Sequence, residues 1–184
     1  VGTIQPRKNL ARLIEAFEML KQVQHDTLTK DLKLVICGMM KEGRGGWMQE
    51  EILKKIQSSK SKIQKDIILT GYVDDNDLPY LMAGAKAFVL PSLYEGFGIP
   101  AIEAMACGVP VVVSNVSSLP EIVGDAGILV DPYDINSITR GVSQACYNEA
   151  LRISLIKRGL QRVNKFNWEK SAALILEVLK TIAN

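Results

Sequence analysis

The strongest constraint on the fold is a rhythm of short apolar runs separated by helical patterns. Residues 32–37, 67–70, 87–90 and 109–113 are short and largely apolar, and 127–130 forms a weaker fifth run. Runs of this length with little alternation suit strands covered on both faces. Between them, Leu10, Leu13, Ile14, Phe17 and Leu20 fall on one helical stripe, with Asn9 placed to cap its start. Residues 47–58 form a second helical pattern, with Ile52, Leu53 and Ile56 on one side. Residues 75–83 give a third, and 100–107 a fourth, with Pro100 suited to the first turn and Gly108 to the position just past the end. A short turn of helix is expected at 120–123, and 134–147, 149–164 and 168–183 close the chain. Such alternation implies right-handed crossovers and an α/β fold, a doubly wound parallel sheet with helices on both faces.

In open sheets of this kind, ligands bind at the carboxyl ends of the strands. Three loops lie at such ends, namely residues 2–9, 71–73 and 91–100, and they are expected to converge on one cleft. The chain has 184 residues, enough for one domain with a substantial core. Its net charge of +2 is too small to argue for nucleic acid. No apolar run approaches the ~20 residues of a membrane span. Cys37, Cys107 and Cys146 are far apart, which argues against a zinc site or a disulfide framework. They read as small buried residues of a protein in a reducing compartment. His25 stands in polar company and reads as solvated. Lys54, Lys55, Lys60, Lys62 and Lys65 read as a solvated face, and Gly43-Arg44-Gly45-Gly46 as a loop tip. The opening Val1-Gly2-Thr3-Ile4 looks like the tail of a strand, which suggests a cut from a longer protein.

Residues 91–113 carry the most chemistry. Glu95 and Glu103 stand eight positions apart, with the turn Gly96-Phe97-Gly98 and a helix start at Ile99-Pro100 between them. Such a turn can aim the N–H groups of Phe97, Gly98 and Ile99 at one ligand, and a helix N-terminus favours an anion. Pro100 has no N–H to offer. Glu103 is either a favourable helix-dipole residue or an acceptor for a diol, and spacing alone leaves both open. Arg7 and Lys8 lie in the first loop, just before a helix start. Cations there are unfavourable for the helix, and a bound diphosphate would reverse that cost.

These residues resemble a known family. Val1-Gly2-Thr3-Ile4-Gln5-Pro6-Arg7-Lys8-Asn9, the strand and glycine at 34–38, Leu69-Thr70-Gly71-Tyr72-Val73 and the segment 91–113 all fit it. So do Ser118-Leu119-Pro120-Glu121-Ile122-Val123-Gly124 and Phe166-Asn167-Trp168-Glu169. The chain is similar to the carboxyl-terminal domain of group 1 (family 4) retaining glycosyltransferases of the GT-B fold, one Rossmann-like half of such an enzyme. The resemblance implies a single donor-binding domain over residues 1–184, with the acceptor domain on an amino-terminal half. It implies a nucleotide-diphosphate sugar as donor and a glycan or lipid-linked acceptor, with no metal or other cofactor. Glu103 would take the ribose hydroxyls, and Glu95 with the backbone of Gly96, Phe97 and Gly98 would hold the hexose. The Ile99 N–H and Lys8 would meet the diphosphate, and Tyr72 and Val73 would touch the base through their backbone. Thr3 stands where many relatives carry arginine, so Arg7 is the residue that could compensate.

The same resemblance suggests transfer with retention by front-face attack, with Lys8, Arg7 and the helix start near Pro100 stabilising the departing diphosphate. Glu95 would position the sugar. The first-loop sequence is similar to that of mannosyl- and rhamnosyl-type members, which favours GDP-mannose. A cytoplasmic enzyme is expected, with the inner membrane surface and peripheral association of the parent as the membrane-related expectation. The alternatives are a non-catalytic nucleotide-sugar-binding or regulatory module and a GT-B epimerase. A nicotinamide-dependent dehydrogenase lacks its Gly-x-Gly-x-x-Gly after a first strand.

Overall fold

The computed structural model describes residues 1–2, 4–23, 31–38, 54 and 64–183. Thr3, His25, the loop tip at 43–46 and the helical pattern at 47–58, Lys54 aside, lie outside these residues, as do Lys55, Lys60 and Lys62.

Among the described residues five strands form: β1 (Leu34–Cys37), β2 (Ile67–Gly71), β3 (Phe88–Leu90), β4 (Val111–Ser114) and β5 (Gly127–Val130). All pairings are parallel, in a two-stranded sheet β1-β2 and a three-stranded sheet β3-β4-β5. Among the described residues seven α-helices accompany them: α1 (Leu10–Val23), α2 (Leu78–Ala83), α3 (Ile99–Ala106), α4 (Leu119–Val123), α5 (Ile135–Tyr147), α6 (Glu149–Val163) and α7 (Trp168–Ala183). The expected α/β class is thus present, with the parallel strands divided between two hydrogen-bonded sheets. β1 and β3 flank one cleft, lined by Ile36, Cys37, Val89 and Leu90 together with residues of the first loop.

β4 shows why its sequence is Val-Val-Val: every residue of it is buried. Val111 and Val113 face a core shared with Leu90, Ala101, Ala104, Met105, Leu119 and Val123. Val112 points the other way, into a cluster with Leu13, Ala16, Val130, Ile138 and Ala145. This is the period-2 alternation of a strand with apolar layers on both sides. α1 serves both sheets, because Ile14 and Phe17 pack against Ile36 and Ile67 while Leu13 and Ala16 join the β4 and β5 cluster.

Helix starts follow their capping residues. The Asp134 side chain accepts from Asn136 N at 2.8 Å, and the Asn148 side chain accepts from Leu151 N at 3.1 Å. Asn9 departs from the capping role expected of it. Its carbonyl accepts from Leu13 N at 3.2 Å, but it sits at φ 57°, and its amide donates to Pro91 O at 3.0 Å and Pro132 O at 2.7 Å. One buried side chain therefore ties the start of α1 to the loops after β3 and β5.

At the opposite ends of the strands, just before β2, Asp66 is buried between Lys21 Nζ at 2.9 Å and Lys33 Nζ at 2.5 Å. Burial pushes its carboxyl up, but the hydrogen bonds from Lys33 and Lys21 outweigh that and hold it below the ordinary 3.8. All three cysteines are free thiols; Cys37 and Cys146 are buried and Cys107 half-buried. Among the described residues no helix is long and apolar enough to cross a membrane. The apolar side chains of α7, including Leu174, Ile175, Val178 and Leu179, are largely exposed.

Candidate functional site

The carboxyl ends of the strands bring the first loop into contact with both neighbouring loops. On one side the carbonyl of Gly2 lies so close to Gly38 that a Cβ there would sit 1.8 Å from its oxygen. Only glycine allows that approach. Gly38 N in turn donates to Gly71 O at 2.9 Å, so the first loop adjoins the end of β2, where Tyr72 and Val73 follow. On the other side Leu93 N donates to Arg7 O at 2.7 Å, joining the first loop to the segment after β3.

That second junction is where charge gathers. Glu95 is buried, with 6% of its surface exposed. Lys8 Nζ lies 2.8 Å from its Oε1, and Arg7 Nη1 lies 2.6 Å from its Oε2. Ser92, itself fully buried, donates its hydroxyl to the same Oε1 at 2.8 Å. Burial alone would raise the Glu95 carboxyl. The bonds from Lys8, Arg7 and Ser92 prevail and hold it below its ordinary 4.5. Arg7 is fixed further by Gln5 Oε1 at 2.9 Å and by Tyr94 O at 3.2 Å.

The turn after Glu95 is built from outside. Glu95 N donates to Ser117 Oγ at 3.1 Å, and Ser118 Oγ donates to the carbonyls of Glu95 and Phe97 at 2.9 and 3.0 Å. Ser117 holds φ 55°, an uncommon conformation for a residue with a Cβ. Phe97 is half exposed and meets the ring edge of Phe166, with centroids 5.8 Å apart. Gly98 begins α3 at φ 100°, and a Cβ there would meet Leu119 Cδ2 at 2.7 Å. Gly96 is not among the positive-φ residues, so the conformational demand expected of both glycines falls on Gly98 alone.

α3 starts at Ile99, with Pro100 in its first turn and Ala101 N turned back to Gly98 O at 2.9 Å. The Ile99 N–H is thus the first donor of the helix, at the positive end of its dipole. Glu103 is the fifth residue of α3, a turn later than a first-turn dipole position, and is exposed. It falls on the same helix face as Ile99, one turn on. The cleft between β1 and β3 is lined by Val1, Gly2, Lys8, Cys37, Leu90 and Pro91 among others, so Lys8 borders both the cleft and Glu95.

Sequence reasoning named Glu95, Lys8, Arg7, Gly98 and Ile99, and the structure gathers these at one junction. Glu103 lies on α3, and Tyr72 and Val73 follow β2. Thr3 lies outside the described residues. Ser92, Ser117, Ser118 and the tether of Asn9 were not anticipated. A Ser-Ser pair just before a Leu-Pro helix start is a weak signal for a polar brace.

Comparison with known proteins adds to this geometry. Residues 1–162 match the family described as glycosyl transferases group 1. The chain belongs to that family. It is 39% identical over 182 residues to the O-antigen chain mannosyltransferase B of Escherichia coli, covering 99% of this chain and 45% of that protein. Among solved structures, sucrose-phosphate synthase from Thermosynechococcus elongatus superposes with a TM-score of 0.83 at 29% identity, over 99% of this chain and 44% of that one. The C-terminal domain of a group 1 glycosyl transferase family protein (LpcC) from Francisella tularensis gives 0.76 at 27% identity, over 90% and 82%. This group 1 chain therefore spans less than half the length of the curated relative and of the synthase. Its parallel sheets with helices on both sides are those of GT-B glycosyltransferases.

Proposed function

We propose that this chain is the donor-binding domain of a group 1 glycosyltransferase, and that it holds a nucleotide-diphosphate sugar for hexosyl transfer with retention. The observation that carries the reading is the junction of Glu95, Lys8 and Arg7 beside the Gly98-Ile99 start of α3. Two cations and a helix N-terminus at one place suit a leaving diphosphate, whose charge grows as the glycosidic bond breaks. Glu95 accepts hydroxyls of the hexose, and the backbone of Gly96, Phe97 and Gly98 borders the same sugar. Glu103 accepts the ribose hydroxyls, and Tyr72 and Val73 meet the base through their backbone. Lys8 and Arg7 do the electrostatic work, which assigns no step to a metal ion, and binding is expected to persist in a chelator. Any contribution of Thr3 is to the diphosphate.

GDP-mannose is the donor we favour. The mannosyltransferase relative, which the chain matches over 99% of its length, supports that choice. The acceptor, a glycan or lipid-linked saccharide, is assigned to a further domain, at the cytoplasmic face of a membrane. Calorimetric competition among GDP-mannose, UDP-glucose and UDP-GlcNAc tests the reading. Micromolar GDP-mannose binding that survives EDTA is the expected result. Binding of none of the three overturns it, and efficient transfer by the 184-residue chain alone overturns the division of labour.

A further inference from the structure

The junction described above contains a conflict. Lys8 and Arg7 are assigned to a diphosphate, yet in this ligand-free state both are already paired, and both with the same carboxylate. Lys8 has its side chain 11% exposed, so its ammonium depends on Glu95 for a counter-charge. Arg7 has its side chain 41% exposed, and Gln5 and Tyr94 also hold its guanidinium. A buried cation without an anion is costly, and so is a buried carboxylate without donors.

We propose that Glu95 is a resident substitute for the diphosphate, and that donor binding is an exchange in which Lys8 and Arg7 pass from this carboxylate to the phosphates. The inference rests on the donor-binding reading and deepens it. Among the described residues, the exchange leaves Glu95 with Ser92 as its remaining side-chain donor, 2.8 Å away. A carboxylate so stripped is satisfied again when the hydroxyls of a hexose donate to it. A ligand carrying both a diphosphate and a sugar therefore satisfies all three charged groups, whereas a bare diphosphate takes the cations and strands Glu95. The device selects for the intact donor over its own product, because the nucleoside diphosphate left after transfer has no hydroxyls at that place. Release of product is assisted by the return of the cations to Glu95.

Three probes and three variants test this. The purified chain and its Glu95→Gln variant are titrated calorimetrically with inorganic pyrophosphate, GDP and GDP-mannose. Removing the competing carboxylate is expected to tighten pyrophosphate and GDP by about tenfold, the scale of one charge-assisted bond. GDP-mannose gains less or loses, since its sugar has lost its acceptor. Lys8→Met in the Glu95→Gln background is expected to abolish the gain. Thermal melts confirm folding, and Glu95→Asp, which keeps the charge but shortens its reach, gives a smaller gain in the same direction if Glu95→Gln does not fold. Unchanged or weaker pyrophosphate and GDP affinity in the folded Glu95→Gln or Glu95→Asp variant overturns the exchange, even where GDP-mannose binds the parent and the donor reading stands. Tighter pyrophosphate with no nucleotide-sugar binding by the parent overturns the donor reading instead, and leaves the exchange in place.

Discussion

Asp66 and Glu95 invite comparison. Each is a buried carboxylate gripped by two cations, Asp66 by Lys21 and Lys33 before β2, and Glu95 by Arg7 and Lys8 after β3. In both, hydrogen bonds from the cations outweigh the cost of burial and depress the carboxyl. Yet they sit at opposite ends of the strands, and what surrounds them differs. Asp66 closes the seam between α1 and the β1-β2 sheet, and all its bonds are spent on holding elements together. Glu95 stands beside a helix start with a donor to spare, a turn whose backbone is exposed at Gly96 and Phe97, and a cleft that reaches Lys8. The lesson is that a triad of charges is no mark of a site. The open backbone and the helix terminus beside it are what make one of the two a candidate.

The most direct way to break the comparison is to remove each carboxylate and offer an anion. Asp66→Ala takes the carboxylate from the buried Lys21 and the half-exposed Lys33 and is expected to cost about 3 kcal/mol in urea unfolding. Pyrophosphate should recover none of that. The folded Glu95→Gln variant should be stabilised by millimolar pyrophosphate, and by about 2.7 kcal/mol at a hundredfold excess over its dissociation constant. Rescue of Asp66→Ala by the same anion would erase the distinction. Next in size is Gly98→Ala. Its φ of 100° and the Leu119 contact at 2.7 Å predict a loss of about 2 kcal/mol together with weakened GDP-mannose binding. An unaltered affinity would show that the turn is not part of the site.

Glu103→Ala sharpens the picture on a smaller scale. The residue is exposed, so the melting temperature should hold while GDP-mannose affinity falls by about tenfold. Equal affinity refutes the ribose assignment. The smallest effect is in acid. Each depressed carboxyl contributes stability that is complete above its unfolded value, 3.8 for Asp66 and 4.5 for Glu95, and that is lost as pH falls through the lower folded value. Unfolding free energy should therefore decline below about pH 4.5, and the decline should be shallower in Asp66→Asn. An identical slope in that variant would mean that other carboxylates govern acid unfolding.

Much of this fold could be read from local pattern. The apolar run at 127–130 is β5 as observed, and the helices beginning at 99, 119, 135, 149 and 168 start within a residue of expectation. Pro100 and Gly108 mark the two ends of α3, with Gly108 at φ 71°. Local pattern failed where function depends on distant partners. Nothing around Asp66 announces Lys21 or Lys33, because charged residues in loops are common and the pairing appears only when α1 docks. Asn9 looked like a cap because caps are local, and its amide was in fact taken by carbonyls far along the chain. The two glycines of the turn were indistinguishable by sequence, since the positive φ of Gly98 and the placement of Leu119 behind it arise only in the fold.

Asn9 reaches Pro91 across 82 positions and Pro132 across 123, while Lys8 reaches Glu95 across 87. Contacts that span so much chain carry a loop-closure cost that the local bonds of a helix do not. The junction is therefore complete only when the start of α1 and the loops after β3 and β5 are in place together. On the proposed donor reading, affinity for a phosphate-bearing ligand is expected to serve as a gauge of native completeness. A chain stalled with its helices formed but β5 unpaired would score well by circular dichroism and bind nothing.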